Sequence, residues 1–293
     1  MNDIFSFETG KELQKKNSIF NGKVSVLITT YKYEKPENLD EALLSMYSQT
    51  RVPDEIVMVI DGPILEEQEE IIRNYMKDDR TQLNVVRLEE NVGRGIAKNI
   101  GIHACQFEFI AVMDSDDISM PERIEKQINI FKSHPELSLV AAWQAEFDDL
   151  SKQQTFIKKC PQYHDDIVKA LKWRNVVPNP AIMVRRELAI AVDGYGDFKL
   201  INEDYDFFIK LIEAGGKFYN IQEILIRVRT SMDQRKRRGG KGVILDDFKF
   251  RHKHYKSGFY NIFEFLLISS VYFVFRLMPA FSKGFLYKVN RAV

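Results

Sequence analysis

Residues 109–117 read Phe-Ile-Ala-Val-Met-Asp-Ser-Asp-Asp, an apolar run that ends abruptly in three carboxylates within four positions. Such a run is a buried strand that delivers acid to its own C-terminal edge. Asp114, Asp116 and Asp117 repel one another unless they are solvated or neutralised. Clustered hard oxygen ligands are what Mg²⁺ or Mn²⁺ bind, with substrate phosphates completing the shell. Two readings follow: a metal–diphosphate site, or a solvated acidic turn capping the helix that begins near Pro121.

The rest of the chain decides between them. Its 293 residues, 45% of them hydrophobic, supply the core of one large α/β domain or of one domain with an appendage. Cys105 and Cys160 lack metal-ligand spacing and suggest no disulfide framework, which fits a reducing compartment. The first 22 residues alternate apolar and charged positions without a signal-like apolar stretch, so the expected compartment is the cytoplasm. The net charge of +0 hides an asymmetry: 13 Lys and Arg from Arg235 onward, against Asp246, Asp247 and Glu264, give the tail +10 and leave −10 for residues 1–234. A basic tail on an acidic body points to a membrane surface or phosphates as its partner; nucleic acid is not expected.

Val24–Thr30 and Glu55–Ile60 are short, β-branched and apolar, as strands buried on both faces are, and strands are also expected at 84–88, 137–147, 181–184 and 219–229. Helices are expected at 36–49, 66–77, within 91–104 after Gly93 and Gly95, at 122–133, and from Asn202 through Ile212. The alternation predicts βαβ units with right-handed crossovers and a mostly parallel sheet. Ligands of such sheets bind outside the carboxyl ends of the strands, so the loops at 30–34, 61–63, 90–95 and 114–117 converge on one edge. Asn202 is a candidate N-cap with Glu203 and Asp204 in the first turn, a purely structural role for both acids. The Arg-Lys-Arg-Arg-Gly-Gly-Lys run from Arg235 is a mobile or phosphate-facing loop, followed by an amphipathic basic helix over 243–256. Residues 259–277 are dense in aromatic and aliphatic side chains, yet only 11 uncharged residues separate Glu264 from Arg276, short of the roughly 20 that span a bilayer. That segment lies on the membrane or on the body.

Taken in order, Val-Ser-Val-Leu-Ile-Thr-Thr-Tyr, Ile-Asp-Gly, Asn-Val-Gly-Arg-Gly-Ile-Ala-Lys-Asn-Ile-Gly, Asp-Ser-Asp-Asp and Asn-Glu-Asp-Tyr-Asp resemble family 2 glycosyltransferases of the GT-A fold over about residues 22–230. The Arg-Arg-Gly-Gly loop and aromatic C-terminal helix resemble bacterial enzymes that build capsule, exopolysaccharide or O-antigen repeat units. The resemblance implies an α/β nucleotide-diphospho-sugar transferase fold with helices on both faces of the sheet and a C-terminal helical extension. The implied division is an N-terminal segment at 1–21, the transferase domain at 22–230, and a basic loop with membrane-associating helices at 231–293.

The same resemblance implies site roles. Thr30, Tyr31 and Asp61 hold uracil and ribose; Gly93, Arg94, Lys98, Asp114 and Ser115 complete the nucleotide-sugar set. Lys98 stands where the family often has arginine, so it acts as a point charge rather than a bidentate donor. Asp116, with Asp114, binds Mn²⁺ or Mg²⁺ bridging the two phosphates, and Asp117 is a supporting or helix-start acid. Asp204, with Glu203 as the alternative, is the base that takes the acceptor proton in an inverting transfer. Arg237 and Arg238 engage acceptor or donor phosphates. The implied partners are a UDP-sugar, a polyprenyl-diphosphate-linked saccharide and the inner face of the plasma membrane. UDP-galactose is the expected donor, with UDP-glucose and UDP-N-acetylhexosamines as alternatives. Competing readings are a glycoside hydrolase, which needs no nucleotide edge, a non-catalytic receiver-like nucleotide-binding module, which lacks a second acidic motif, and a partner subunit without turnover.

Overall fold

In the computed structural model, which describes residues 22–196, 198, 201–230 and 241–277, the first half of the chain is a parallel sheet flanked by helices. The segment 1–21, the basic loop with Arg237 and Arg238, and residues 278–293 lie outside the described residues. β1 (Val24–Thr30), α1 (Pro36–Tyr47), β2 (Glu55–Ile60), α2 (Glu66–Tyr75), β3 (Gln82–Arg87), α3 (Arg94–Ala104) and β4 (Phe109–Asp114) alternate as βαβ units. β1 and β2 are buried almost throughout, so their apolar runs are uninterrupted. α1 starts at Pro36, where a missing N–H costs nothing, and buries Leu39, Ala42, Leu43 and Met46, one stripe at helical spacing.

Beyond β4 the pairing changes hand. β5 (Ile118–Ser119) precedes α4 (Arg123–Ser133); then come β6 (Leu139–Asp148), β7 (Gln154–Lys158), α5 (His164–Leu171), β8 (Met183–Arg185), α6 (Arg186–Ala191), α7 (Glu203–Glu213) and β9 (Phe218–Thr230). The sheet order is β3-β2-β1-β4-β8-β6-β9-β5 with β7 on β6. β8 is antiparallel to both β4 and β6, whereas β6 and β9 run parallel. The parallel expectation therefore holds for the first four strands, and the second half is mixed. At the junction a fully buried Arg123 donates to the carbonyls of Val112 (2.8 Å) and Ile182 (3.0 Å), while Gln127 donates to those of Val140 and Ala181. These two side chains hold backbone carbonyls where the ladder reverses, the Ile182 carbonyl also accepting the Val112 N–H at 3.0 Å.

The C-terminal extension is α8 (Lys241–Lys256) and α9 (Ile262–Leu277). Phe250, Phe259, Tyr260, Phe265 and Ile268 join the same apolar cluster as α7, so one side of the extension packs on the body. The other side of α9 does not: Phe263 is 81% exposed, and Leu266, Leu267, Val271, Phe273 and Val274 are each more than half exposed. Of the two placements foreseen for this segment, the one on the body is met by its inner face. Among the described residues no helix is long and apolar enough to cross a membrane.

Candidate active site

The register of the parallel strands sets the site. Thr30 pairs with Ile60, Ile60 with Arg87 and Thr29 with Asp114, so the four loops after β1 to β4 leave the sheet along one edge, as expected. Asp61 ties two of them together. Its Oδ1 accepts the Val92 N–H at 2.7 Å, and its Oδ2 accepts the Gly93 N–H at 3.1 Å and the Asn91 amide at 3.0 Å. Gly62, at φ +85°, lets the chain turn there, and a Cβ would meet the Asn91 nitrogen at 2.8 Å. Asp61, expected to meet the base or ribose, is thus also the fastening of the loop that opens α3. Thr30 is buried, and its hydroxyl has no partner among the described residues. Tyr31 lies beside it, its carbonyl receiving the Gln68 amide at 3.0 Å.

The acid loop is electrostatically loaded. Burial works against ionisation of Asp114, but the Lys98 ammonium at 2.9 Å, with Arg94 and Arg123 beyond, outweighs it and holds the carboxyl below its ordinary range. Burial, with Glu34 and Asp114 as neighbours, pushes Asp116 up to about 7. Asp117 is driven well above the carboxylate range by burial and by its two neighbouring acids; its Oδ1 accepts the Arg229 N–H at 3.0 Å and its buried Oδ2 has no partner among the described residues. Ser115 is buried between them. Asp116 and Asp117 resist ionisation beside a charged Asp114, a repulsion that a bound cation would relieve. Among the described residues no three His, Cys, Asp or Glu side chains form a metal cage.

Two residues outside the sequence expectation shape this loop. Glu34, at the end of the first loop, faces Asp114 and Asp116, and burial raises its own affinity for a proton. Arg229, buried at the end of β9, donates its Nε to the Asp116 carbonyl (3.0 Å) and binds Asp149 and Glu41 through its other nitrogens. Glu34 was legible as a loop acid on the right edge. Arg229 was not, because only the long-range pairing of β5 with β9 brings it there.

α3 carries cations from the acid loop to a second acidic group. Lys98 reaches Asp114, while Arg94, one turn earlier, reaches Glu203 Oε1 at 2.8 Å. Lys98 is buried against Asp114 and over the Tyr195 ring. Gly95 has no room for a side chain: a Cβ would lie 2.9 Å from the Gly196 carbonyl and 3.6 Å from Glu203 Cβ. Glu203 is buried, and burial together with the Asp204 charge raises its proton affinity against the pull of Arg94. Asp204 is half-buried; its Oδ2 accepts the Asn175 amide at 3.0 Å and its Oδ1 the Tyr205 N–H at 2.8 Å. Asn202 does occupy the N-cap position, but in a left-handed conformation with no capping bond. Its amide donates to Asp247 of α8 instead, which corrects the expected capping role. Asp206, fully buried in α7, binds Lys253 (2.6 Å) and His254 (2.9 Å) and so fastens α8 to this helix. The edge therefore sets the acid loop on one side and the two carboxylates of Glu203 and Asp204 on the other.

Residues 25–192 match the family described as Glycosyl transferase family 2. The chain is 34% identical over 270 residues to the amylovoran biosynthesis glycosyltransferase AmsE of Erwinia amylovora, an alignment covering 91% of this chain and 98% of that one. It is 30% identical over 268 residues, 91% of this chain and 95% of the relative, to the UDP-Gal:alpha-D-GlcNAc-diphosphoundecaprenol beta-1,3-galactosyltransferase of Escherichia coli. Among solved structures, S. aureus TarS 1–349 in complex with UDP-GlcNAc has a TM-score of 0.63 at 18% identity, over 80% of this chain and 66% of that one. Against a longer TarS chain the TM-score is 0.60, over 80% of this chain and only 40% of TarS, so the present chain spans less than half of that length. At such identities the likeness concerns the fold.

Proposed function

The chain belongs to glycosyl transferase family 2, and from that premise we propose that it moves galactose from UDP-galactose onto a polyprenyl-diphosphate-linked sugar in bacterial surface polysaccharide synthesis. The observation that carries the reading is the bridge across the edge: Lys98 on Asp114 and Arg94 on Glu203 set the acid loop and the head of α7 on either side of α3. The choice of donor and acceptor is supported by the Escherichia coli relative, whose name gives both UDP-Gal and a diphosphoundecaprenol-linked acceptor. The alignments with it and with AmsE run nearly end to end.

In this reading Thr30, Tyr31 and Asp61 hold the nucleoside, Gly93 and Arg94 border the diphosphate, and Asp114 and Ser115 lie under the ribose and sugar. Asp116 and Asp114 would hold a divalent ion, which would supply Lewis-acid stabilisation of the departing UDP. Asp204, oriented by Asn175 and the Tyr205 N–H, takes the proton of the acceptor hydroxyl as that oxygen attacks the anomeric carbon. The bond to UDP breaks on the opposite face, so an α-linked donor gives a β-glycoside and no covalent intermediate is needed. Glu203 is the alternative base; burial favours its proton uptake, but Arg94 holds one of its oxygens. The exposed apolar face of α9, beside the tail charge of +10, seats the cytoplasmic enzyme on the inner face of the membrane, where such an acceptor resides. The transferase body ends near residue 230 and the extension provides this seat.

Incubating the protein with Mn²⁺, a lipid-diphosphate sugar and each UDP-sugar in turn, and measuring released UDP, tests the proposal. UDP-galactose should be the best donor. Preference for UDP-glucose or a UDP-N-acetylhexosamine would overturn the sugar and keep the reaction class, while release from none would overturn both.

A further inference from the structure

A cleft of about 480 Å³ opens between the middle of the β6–β9 pair and the loop after α5, where Trp143, Lys159, Trp173, Arg174, Val176 and Gln222 line it. The chain has only two tryptophans and both are here. Trp143 is fixed by its indole N–H, which donates to the Cys160 carbonyl at 3.2 Å, and Trp173 is 55% exposed. Lys159 sits 5.0 Å over the Trp143 ring, and among the described residues no carboxylate is paired with Lys159 or Arg174. Indole faces are electron-rich and apolar, which suits the C–H face of a sugar ring, and two uncompensated cations suit a phosphate.

The cleft is joined to the proposed base by the shortest possible route. Arg174 and Val176 flank Asn175, whose amide is 3.0 Å from Asp204 Oδ2 and whose own Oδ1 is buried without a partner among the described residues. Consecutive Cα atoms are about 3.8 Å apart, so Asn175, the loop residue that holds Asp204, is the immediate chain neighbour of two residues of the cleft wall. The far side of the same loop meets the apolar helix: Tyr272 donates its hydroxyl to the Trp173 carbonyl at 3.1 Å, and Lys172 pairs with Glu264 at 2.6 Å. The loop that lines the cleft is thus tied to Asp204 through Asn175 and to α9 through Lys172 and Trp173.

We propose that this cleft is the acceptor subsite, in which Trp143 and Trp173 hold the sugar of a sugar diphosphate and Lys159 and Arg174 hold its phosphates. The inference rests on the acceptor class proposed above. Its test does not need the donor: calorimetry with a soluble sugar diphosphate bearing a short alkyl chain, with inorganic pyrophosphate as the second probe, on the full chain and on Lys159→Ala, Arg174→Ala and Trp173→Ala. Both cation variants should weaken the sugar diphosphate about tenfold or more, and Trp173→Ala should weaken it while leaving pyrophosphate unchanged. UDP affinity measured on the same variants serves as the control for folding. Undiminished sugar-diphosphate binding in Lys159→Ala and Arg174→Ala would overturn the subsite, as would equal binding of pyrophosphate and the sugar diphosphate to the wild type, the mark of a bare anion site. Failure of every UDP-sugar to react, with these affinities as expected, would count against the donor reading and not against the cleft.

Discussion

The side-chain amide of Asn99 clasps the backbone of Tyr195: its Nδ2 donates to the Tyr195 carbonyl at 3.0 Å and its Oδ1 accepts the Tyr195 N–H at 2.7 Å. Tyr195 in turn is buried and donates its hydroxyl to Asn179 at 2.9 Å. One side chain of α3 therefore sets the loop that leads into α7, so the nucleotide half and the base-bearing half keep a fixed spacing. In Asn99→Ala both backbone groups lose their partners at a partly buried site, and stability should fall by about 1–3 kcal/mol. Chemical denaturation measures this; an unchanged midpoint would mean that the clasp does not couple the halves.

Asp116 should govern donor binding. Calorimetry of UDP with Mn²⁺ on Asp116→Ala should show affinity falling steeply while circular dichroism stays that of the wild type. Metal-dependent UDP binding that survived the change would remove Asp116 from the ion.

Asp204 should govern turnover and leave donor affinity alone, because a base meets the acceptor. Asp204→Asn should lose two or more orders of magnitude in transfer, the usual range for a general base, with UDP affinity near normal. The reverse pattern, an inactive Glu203→Gln beside an active Asp204→Asn, would move the role to Glu203.

Stability should depend on pH through the pair that fastens α8. His254 is fully buried; burial alone would lower its pKa, but Asp206 and Glu213 reverse the sign and raise it. Its contribution is therefore complete below the ordinary histidine value of about 6.5 and is lost as pH rises through the higher folded value. Asp206, its burial outweighed by His254 and Lys253, is held below the usual carboxylate range, so its share is present above about 3.9 and lost as pH falls through the lower folded value. Denaturation midpoints should decline from pH 6.5 upward in the wild type and more weakly in His254→Gln. Parallel pH curves for the two proteins would show that the pair carries no such linkage.

Membrane seating should reside in the outer face of α9. Co-sedimentation with anionic liposomes should rise with anionic lipid and weaken with salt, and Phe263→Glu with Leu267→Glu should abolish it, since both side chains are exposed and their change leaves the core intact. A wild-type chain that stays in the supernatant at low salt would put that face to another use.

What the sequence revealed follows from how burial is written into it. β1 and β2 lie where their apolar runs begin and end, because strands covered on both faces show hydrophobicity without interruption. β7 and α5 escaped notice for the opposite reason. β7 is an edge strand with no fully buried residue, and α5 buries only Ile167 and Leu171. Arg123 and Gln127, on the helix expected at 122–133, are fully buried, which local pattern does not show because the backbone carbonyls they meet belong to a distant sheet reversal. The acid loop was legible as a cluster, whereas its setting on Arg229, across 113 residues to Asp116, depended on pairing that no short motif records.

Seated on a membrane through the α9 face that carries Phe263, as proposed, the enzyme would answer to a different measure of concentration. A protein and an acceptor confined to one leaflet meet by lateral diffusion, so the rate follows the acceptor's mole fraction in the lipid, and adding inert lipid slows the reaction even when both molarities are held constant. Rates for such an enzyme are set per unit area, and a soluble acceptor in free solution reports only the part of its reaction that begins after the search is over.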